Sequence, residues 1–382
     1  MKTYIALTVS VAACLAASAS FAGEIAANTR PNSGPVDYIN AKPMPLPQGV
    51  GSGESLRDAL VAPPAKLGPT GSTKGYQGDG NLRPTKVPFR KASDGGGIAP
   101  AQFGTSNQPY TTSRADAQSH PTSRYYPFRA AGKLFFTSGG STYVCSASLI
   151  SRGLIVTAAH CVAQFGGGSS GWNSNWKFIP AYTNGTAPYG IWNTRRQLVR
   201  AAYINGTDSC YQSGVICQDD VAVLEIIAQN GAYPGTNTGW FGACWGGIGF
   251  TGSGVSDNNM AHITQLGYPT ALDSGGVMER TDSYGFTSAT MSFNTIIGSQ
   301  QSGGASGGPW LVNFGVRPAI TGSDGVLGSE ANSNCVVGVA GWAYTGSGAP
   351  MRRMGASPFL SINIKALMDN ACQYAASSSV CN

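Results

Sequence analysis

Three short segments carry residue types suited to nucleophilic hydrolysis. Thr157-Ala158-Ala159-His160-Cys161 supplies an imidazole. Asp219-Asp220, followed by Val221-Ala222-Val223-Leu224, supplies a carboxylate. Gly303-Gly304-Ala305-Ser306-Gly307-Gly308-Pro309 supplies a hydroxyl. A serine hydroxyl attacks a carbonyl poorly until a neighbouring imidazole takes its proton. The imidazole in turn needs a carboxylate to hold its tautomer and stabilise its cation. His160 is the candidate base, Ser306 the candidate nucleophile, and Asp219 or Asp220 the orienting acid. The glycines flanking Ser306 let the backbone bend tightly, so that the Gly304 and Ser306 amides can converge. Two such donors facing a developing oxyanion typically lower the barrier by about 3 kcal/mol or more.

These residues need a rigid frame. Gly132–Thr137 and Thr142–Ile150 read as strands, and a turn at Ser151-Arg152-Gly153 feeds Leu154–Thr157 directly into the His160 segment. Val221–Leu224 is an apolar strand opened by Asp220. Trp310-Leu311-Val312 follows the serine loop as another strand, which argues against a floppy Gly/Ser linker there. Short strands and Gly/Asn/Ser turns continue to about Tyr344, predicting an antiparallel sandwich or barrel. Ile362, Ile364, Leu367 and Met368 predict one amphipathic helix within 361–375.

The first 124 residues read differently. Lys2, an apolar run from Tyr4 to about Leu15 and Ser20-Phe21-Ala22 together form an export signal over residues 1–22. Val11-Ala12-Ala13-Cys14 also fits a lipoprotein cleavage box, so anchoring at Cys14 is the minor alternative. No other stretch is long and apolar enough to span a bilayer. Residues 23–124 are rich in Pro, Gly, Ser and Asn, with Pro43, Pro45 and Pro47 alternating and Gly95-Gly96-Gly97 further on. Such a stretch buries little apolar surface and is expected to be a disordered leader, pro-segment or linker. Arg90-Lys91, Arg114, Arg124 and Arg129 are candidate processing sites.

Only 11% of the 382 residues are charged, while 53 are glycine. This balance suits a secreted β-rich protein better than a helical cytosolic one. The net charge of +6 is spread along the chain without a nucleic-acid-type Lys/Arg cluster. Nine cysteines, less Cys14, leave eight, an even number suited to an oxidising compartment. Spacing pairs Cys145–Cys161, Cys210–Cys217 and Cys372–Cys381, and elimination leaves Cys244–Cys335. With no Cys-x-x-Cys pair and three histidines, no metal or organic cofactor is expected.

The His, Asp, Ser order with these local contexts resembles the chymotrypsin-like (trypsin-fold) serine peptidase superfamily from about Tyr125 to the carboxyl terminus. Within it, the secreted bacterial glutamyl-endopeptidase branch is similar in Pro180–Gly185, Pro188-Tyr189-Gly190 and Gly267-Tyr268-Pro269. The resemblance implies an all-β fold of two antiparallel six-stranded barrels with a C-terminal helix, in a peptidase domain over 125–382. His160 and Asp220 would belong to the first barrel and Ser306 to the second, with the site between them. It favours Asp220 over Asp219, because the related enzymes use the Asp directly before the apolar run.

The resemblance also implies that the strand holding Gly341, Trp342 and Ala343 pairs with the substrate backbone. Departures from the pattern are informative. Ala305 stands where animal trypsins keep an aspartate for the freed amino terminus, so activation would proceed by losing an occluding leader. Glu-specific members carry a histidine where Gly341 stands, with neither His120 nor His262 in register to replace it. Trypsin-like preference needs an acid where Gln300 stands. A neutral or broad preference is the expectation.

The leading function is therefore an exported, monomeric endopeptidase acting on proteins or peptides through an acyl-enzyme, in the periplasm or the medium. A binding or adhesion protein on the same scaffold and a serine esterase are the alternatives.

Overall fold

The computed structural model describes residues 25–30, 34–45, 47–49, 70–89, 109–117, 120–246, 260–287, 293–316, 333–344, 353–374 and 379–381. The signal segment 1–22 with Cys14, the Arg90-Lys91 pair and the triple glycine at 95–97 lie outside these residues.

Twelve strands form two closed barrels. The first is built from β1 (Ala131–Ser138), β2 (Ser141–Leu149), β3 (Leu154–Thr157), β4 (Ser174–Pro180), β5 (Trp192–Arg200) and β6 (Ala222–Ile226). They close in the order β1-β2-β3-β6-β5-β4, every pair antiparallel. The second comprises β7 (Met260–Gly267), β8 (Glu279–Thr287), β9 (Thr295–Gly298), β10 (Pro309–Val312), β11 (Cys335–Tyr344) and β12 (Arg353–Pro358). It closes as β7-β8-β9-β12-β11-β10, again antiparallel. This is the trypsin-like double barrel, in which closure removes the open edges of each sheet.

Burial runs through the whole of β3, β6, β9, β10 and β12, while β4, β5 and β8 alternate over part of their length. Leu134, Phe136, Val156, Leu198 and Val223 fill the first barrel; Ile263, Ile297, Trp310, Val337 and Met354 fill the second. A π-helical turn, Ser361–Lys365, leads into a closing helix, α1 (Ala366–Gln373). That helix is tied to the first barrel by Arg196 of β5, which bridges Glu225 and the Asn370 side chain. Four disulfides join Cys145–Cys161, Cys210–Cys217, Cys244–Cys335 and Cys372–Cys381.

The described parts of the leader correct the expectation of disorder. Ile25–Asn28 pairs antiparallel with β5, and Tyr110–Arg114 pairs antiparallel with β8. Lys42–Pro43 runs parallel to β2 and Gln48–Gly49 parallel to β11. Gly71–Ser72 and Thr85–Lys86 add to shorter strands, Gly242–Trp245 and Thr186–Ala187. The physical reason is that strand addition uses backbone N–H and C=O groups, which a Pro/Gly/Asn-rich segment carries without apolar periodicity. Two of the candidate processing sites are engaged through their side chains. Arg129 is buried and donates to the Thr238 and Gln77 carbonyls, and Arg114 is paired with Asp273.

Candidate active site

Strand register brings His160 and Asp220 together. Ala222 of β6 faces Thr157 of β3 across an antiparallel pair. Moving back two residues along one strand and forward three along the other therefore converges on the same point. His160 sits in the single 3-10 turn Ala159–Cys161 that follows β3, and Cys161 is bonded to Cys145 of β2. The Asp220 carboxylate accepts from the His160 backbone N–H through Oδ1 and meets Nδ1 through Oδ2, both at 2.9 Å. Both residues are buried. With Nδ1 donating to the carboxylate, Nε2 is the ring nitrogen left to accept a proton.

The segment carrying Asp220 is fastened from the second barrel. The Asp220 N–H donates to Ser357 Oγ of β12 at 3.2 Å, and that hydroxyl donates to the Cys217 carbonyl at 2.6 Å. Asn363 Nδ2 reaches the Gln218 carbonyl. Asp219 turns elsewhere: its carboxylate lies 3.6 Å from Arg200 Nε, and its N–H donates to Asp208. Burial, and secondarily the charge of Asp219, push the Asp208 carboxyl up to about 7.

Ser306 lies in the bend between β9 and β10. Gly304 and Gly307 both have positive φ, +95° and +77°. A side chain at Gly307 would meet Thr157 Oγ1 at 2.0 Å and Ser146 O at 2.4 Å. Glycine is thus required for the serine loop to pack against the strand that leads to His160. Ser146 of β2 is the hub of this packing. Its N–H donates to Ser306 O, its hydroxyl donates to Gly304 O, and that same hydroxyl accepts from Tyr268 N–H.

Two amides of the loop are aimed by their own peptide planes. The Gly303 carbonyl accepts from both Thr270 N–H and Thr270 Oγ1, which turns the Gly304 N–H the opposite way. The Ala305 carbonyl accepts from Gly308 N–H, which directs the Ser306 N–H away from Gly308. The Gly304 N–H donates to the carbonyl of leader residue Met44 at 3.2 Å. Among the described residues, His160 Nε2 and Ser306 Oγ are buried without a hydrogen-bond partner.

The remaining expected residues take diverse places. Gln300 follows β9 and is half-buried. Gly341 lies against the Asp220 carboxylate, and the Ala343 N–H donates to the Pro47 carbonyl. The Trp342 ring is buried, covers Gly355 and donates from Nε1 to Asn294. Ser146, Thr270, Ser357 and Met44 escaped the reading of the sequence. Ser146 alternates with Ser148 in the buried half of its strand, and such paired polar residues are the one signal available.

Two groups of His, Cys and Asp side chains approach one another closely: Cys145, His160 and Cys161; and Asp208, Cys210 and Cys217. In each, both cysteines are joined in a disulfide, so neither offers a thiolate to a cation.

No family model matches the chain. It is similar to an extracellular metalloprotease of Bacillus subtilis (strain 168), with 28% identity over 119 residues, 31% of this chain and 33% of that relative. The chain thus spans about a third of the length of the curated relative it matches. Among solved structures it is similar to a thermostable serine protease AL20 from an extremophilic microorganism, at 20% identity and a TM-score of 0.48. That match covers 64% of this chain and 98% of the other. A second is the protease Anisep from Arthrobacter nicotinovorans, at 22% identity, 63% and 94% coverage and a TM-score of 0.46. A third is a Glu endopeptidase in complex with MPD, at 19% identity, 69% and 97% coverage and a TM-score of 0.46. At such values the closure of the twelve strands, not the likeness, defines the double barrel described above.

Proposed function

We propose that the protein is an exported serine endopeptidase that hydrolyses peptide bonds through an acyl-enzyme, with Ser306 as nucleophile, His160 as base and Asp220 as orienting acid. The observation carrying this reading is the double engagement of Asp220 with His160, backbone and ring, together with a buried serine whose glycine-framed bend packs on the strand that leads to His160. In the mechanism, Nε2 takes the Ser306 proton as Oγ attacks the carbonyl. The negative charge that develops on the carbonyl oxygen is met by the Gly304 and Ser306 amides. The imidazolium then gives its proton to the leaving amine. A water, deprotonated by the same nitrogen, releases the acid product and regenerates the serine.

The proposal extends to the whole chain. Residues 1–22 serve as the export signal, 23–124 as a pro-segment and 125–382 as the peptidase domain. Four disulfides support an oxidising destination. Among the described residues, no helix is long and apolar enough to cross a membrane.

The test pairs the exported protein with its Ser306→Ala variant, both exposed to a fluorophosphonate probe and then to a peptide library read by mass spectrometry. Labelling and cleavage by the first protein alone are expected. No labelling of folded protein, even after the leader has been opened, would sink the peptidase reading.

A further inference from the structure

The Gly304 amide already has an occupant from the chain itself. Met44 N–H donates to Val144 O at 2.9 Å, and Met44 O accepts from Gly304 N–H at 3.2 Å. Lys42 and Pro43 pair in parallel with Tyr143 and Val144 of β2, beside the Cys145–Cys161 staple. Further along, Pro47 O accepts from Ala343 N–H at 3.0 Å, and Gln48 and Gly49 pair in parallel with Ala343 and Tyr344 of β11. Residues 42–45 thus lie against the first barrel and the serine loop, and residues 47–49 against the second barrel. The approach to the loop is tight: a side chain at Gly303 would meet Met44 O at 3.1 Å and the Pro43 ring at 3.3 Å.

We infer that residues 42–49 are an intramolecular occupant of the Ser306 cleft that holds the site closed until it is displaced. The inference rests on the peptidase reading for its consequence, although the occupancy itself is a matter of backbone pairing. Three features make the segment an inhibitor rather than a transient visitor. It uses backbone groups on both barrels at once, at Val144, Gly304 and Ala343. Pro43, Pro45 and Pro47 restrict the chain to extended conformations, so little entropy is lost on docking. It also runs parallel to β2 and β11. A peptide entering the other way would present its N–H and C=O groups in a different order along the same two strands, so the two cannot be accommodated together.

The bond whose carbonyl faces Gly304 is Met44–Pro45.

The experiment compares the full chain with a variant in which residues 42–49 are replaced by a Gly/Ser linker of equal length. The first readout is the rate of labelling by a small fluorophosphonate. If the segment keeps the open state below about a tenth of the population, the linker variant labels at least about tenfold faster. Equal rates would overturn the inference. The second readout needs no catalysis and no variant beyond Ser306→Ala: hydrogen exchange at the Met44, Gly304 and Ala343 amides. Slow exchange in the full chain is expected, and exchange at the rate of free peptide would overturn the occupancy whatever the labelling. Protected amides with no labelling of either protein would uphold the occupancy and reject the peptidase reading instead. Mass spectrometry adds a further arm. A chain cut after Met44 in the unsubstituted protein but intact in Ser306→Ala would make the segment a substrate and overturn its role as inhibitor.

Discussion

The backbone of Gly341 abuts the carboxylate of Asp220, so that a methyl group at position 341 would lie 3.1 Å from Oδ2. That oxygen is the one holding His160 Nδ1. The second barrel therefore supports the histidine–aspartate pair of the first through a residue that has no side chain. Gly341→Ala is expected to shift the carboxylate by a few tenths of an ångström and to lower kcat by about tenfold, with KM nearly constant. Steady-state kinetics check it, and an unchanged kcat would mean the carboxylate has room to spare.

The two adjacent aspartates should separate cleanly. Asp220→Asn leaves the shape of the site but loses the acceptor that fixes the tautomer, so kcat is expected to fall by about 10⁴-fold with the fold retained. Asp219→Asn weakens the contact with Arg200 instead. It is expected to lower the melting temperature while keeping turnover within a few-fold of the parent. Kinetics and melting curves of the two variants, measured side by side, decide the assignment.

Gly307→Ala combines a positive φ with a 2.0 Å approach to Thr157 Oγ1. Both strain and overlap act at once, and the expected cost is about 3 kcal/mol or more. Denaturant unfolding of the purified variant measures it, and a loss below about 1 kcal/mol would show that the loop can move away from β3.

Asp208 sets a pH dependence of stability. Its carboxyl is raised from 3.8 to about 7 by burial first and by Asp219 second. Below the lower value both folded and unfolded chains carry the proton. Between the two values the unfolded chain releases it and the folded chain keeps it, so this group makes stability fall as pH rises. Asp208→Asn keeps an acceptor for the Asp219 N–H and removes the titration. The melting temperature of the variant relative to the parent is expected to climb between pH 4.5 and 7.5, and a constant difference would contradict the assignment.

Much of the barrel and the three chemical segments were legible in the sequence, for local reasons. His160 follows an apolar strand, Asp220 precedes one, and the serine bend is spelled out by glycines that the geometry demands. What escaped notice was non-local. Ser146, Thr270 and Ser357 act by hydrogen bonds to backbone groups far along the chain, and nothing in their immediate neighbours announces such partners. The leader strands escaped for a related reason, since pairing through main-chain groups leaves no apolar rhythm to read. The Trp342 indole N–H likewise finds its acceptor 48 residues back, on Asn294.

The leader strands also impose an order of events in time. Asn28 bonds to Gln197, and Thr112 bonds to Thr281, each pair 169 residues apart. The Asn28 segment thus has nowhere to dock until β5 is in place, and the Thr112 segment waits for β8. Contacts of such long range are slow to form, because the intervening chain must be closed as a loop first. Until those contacts form, the main-chain groups that these leader strands cover on β5 and β8 are still bare. The time this takes sets how long those edges are open to pairing with a neighbouring chain.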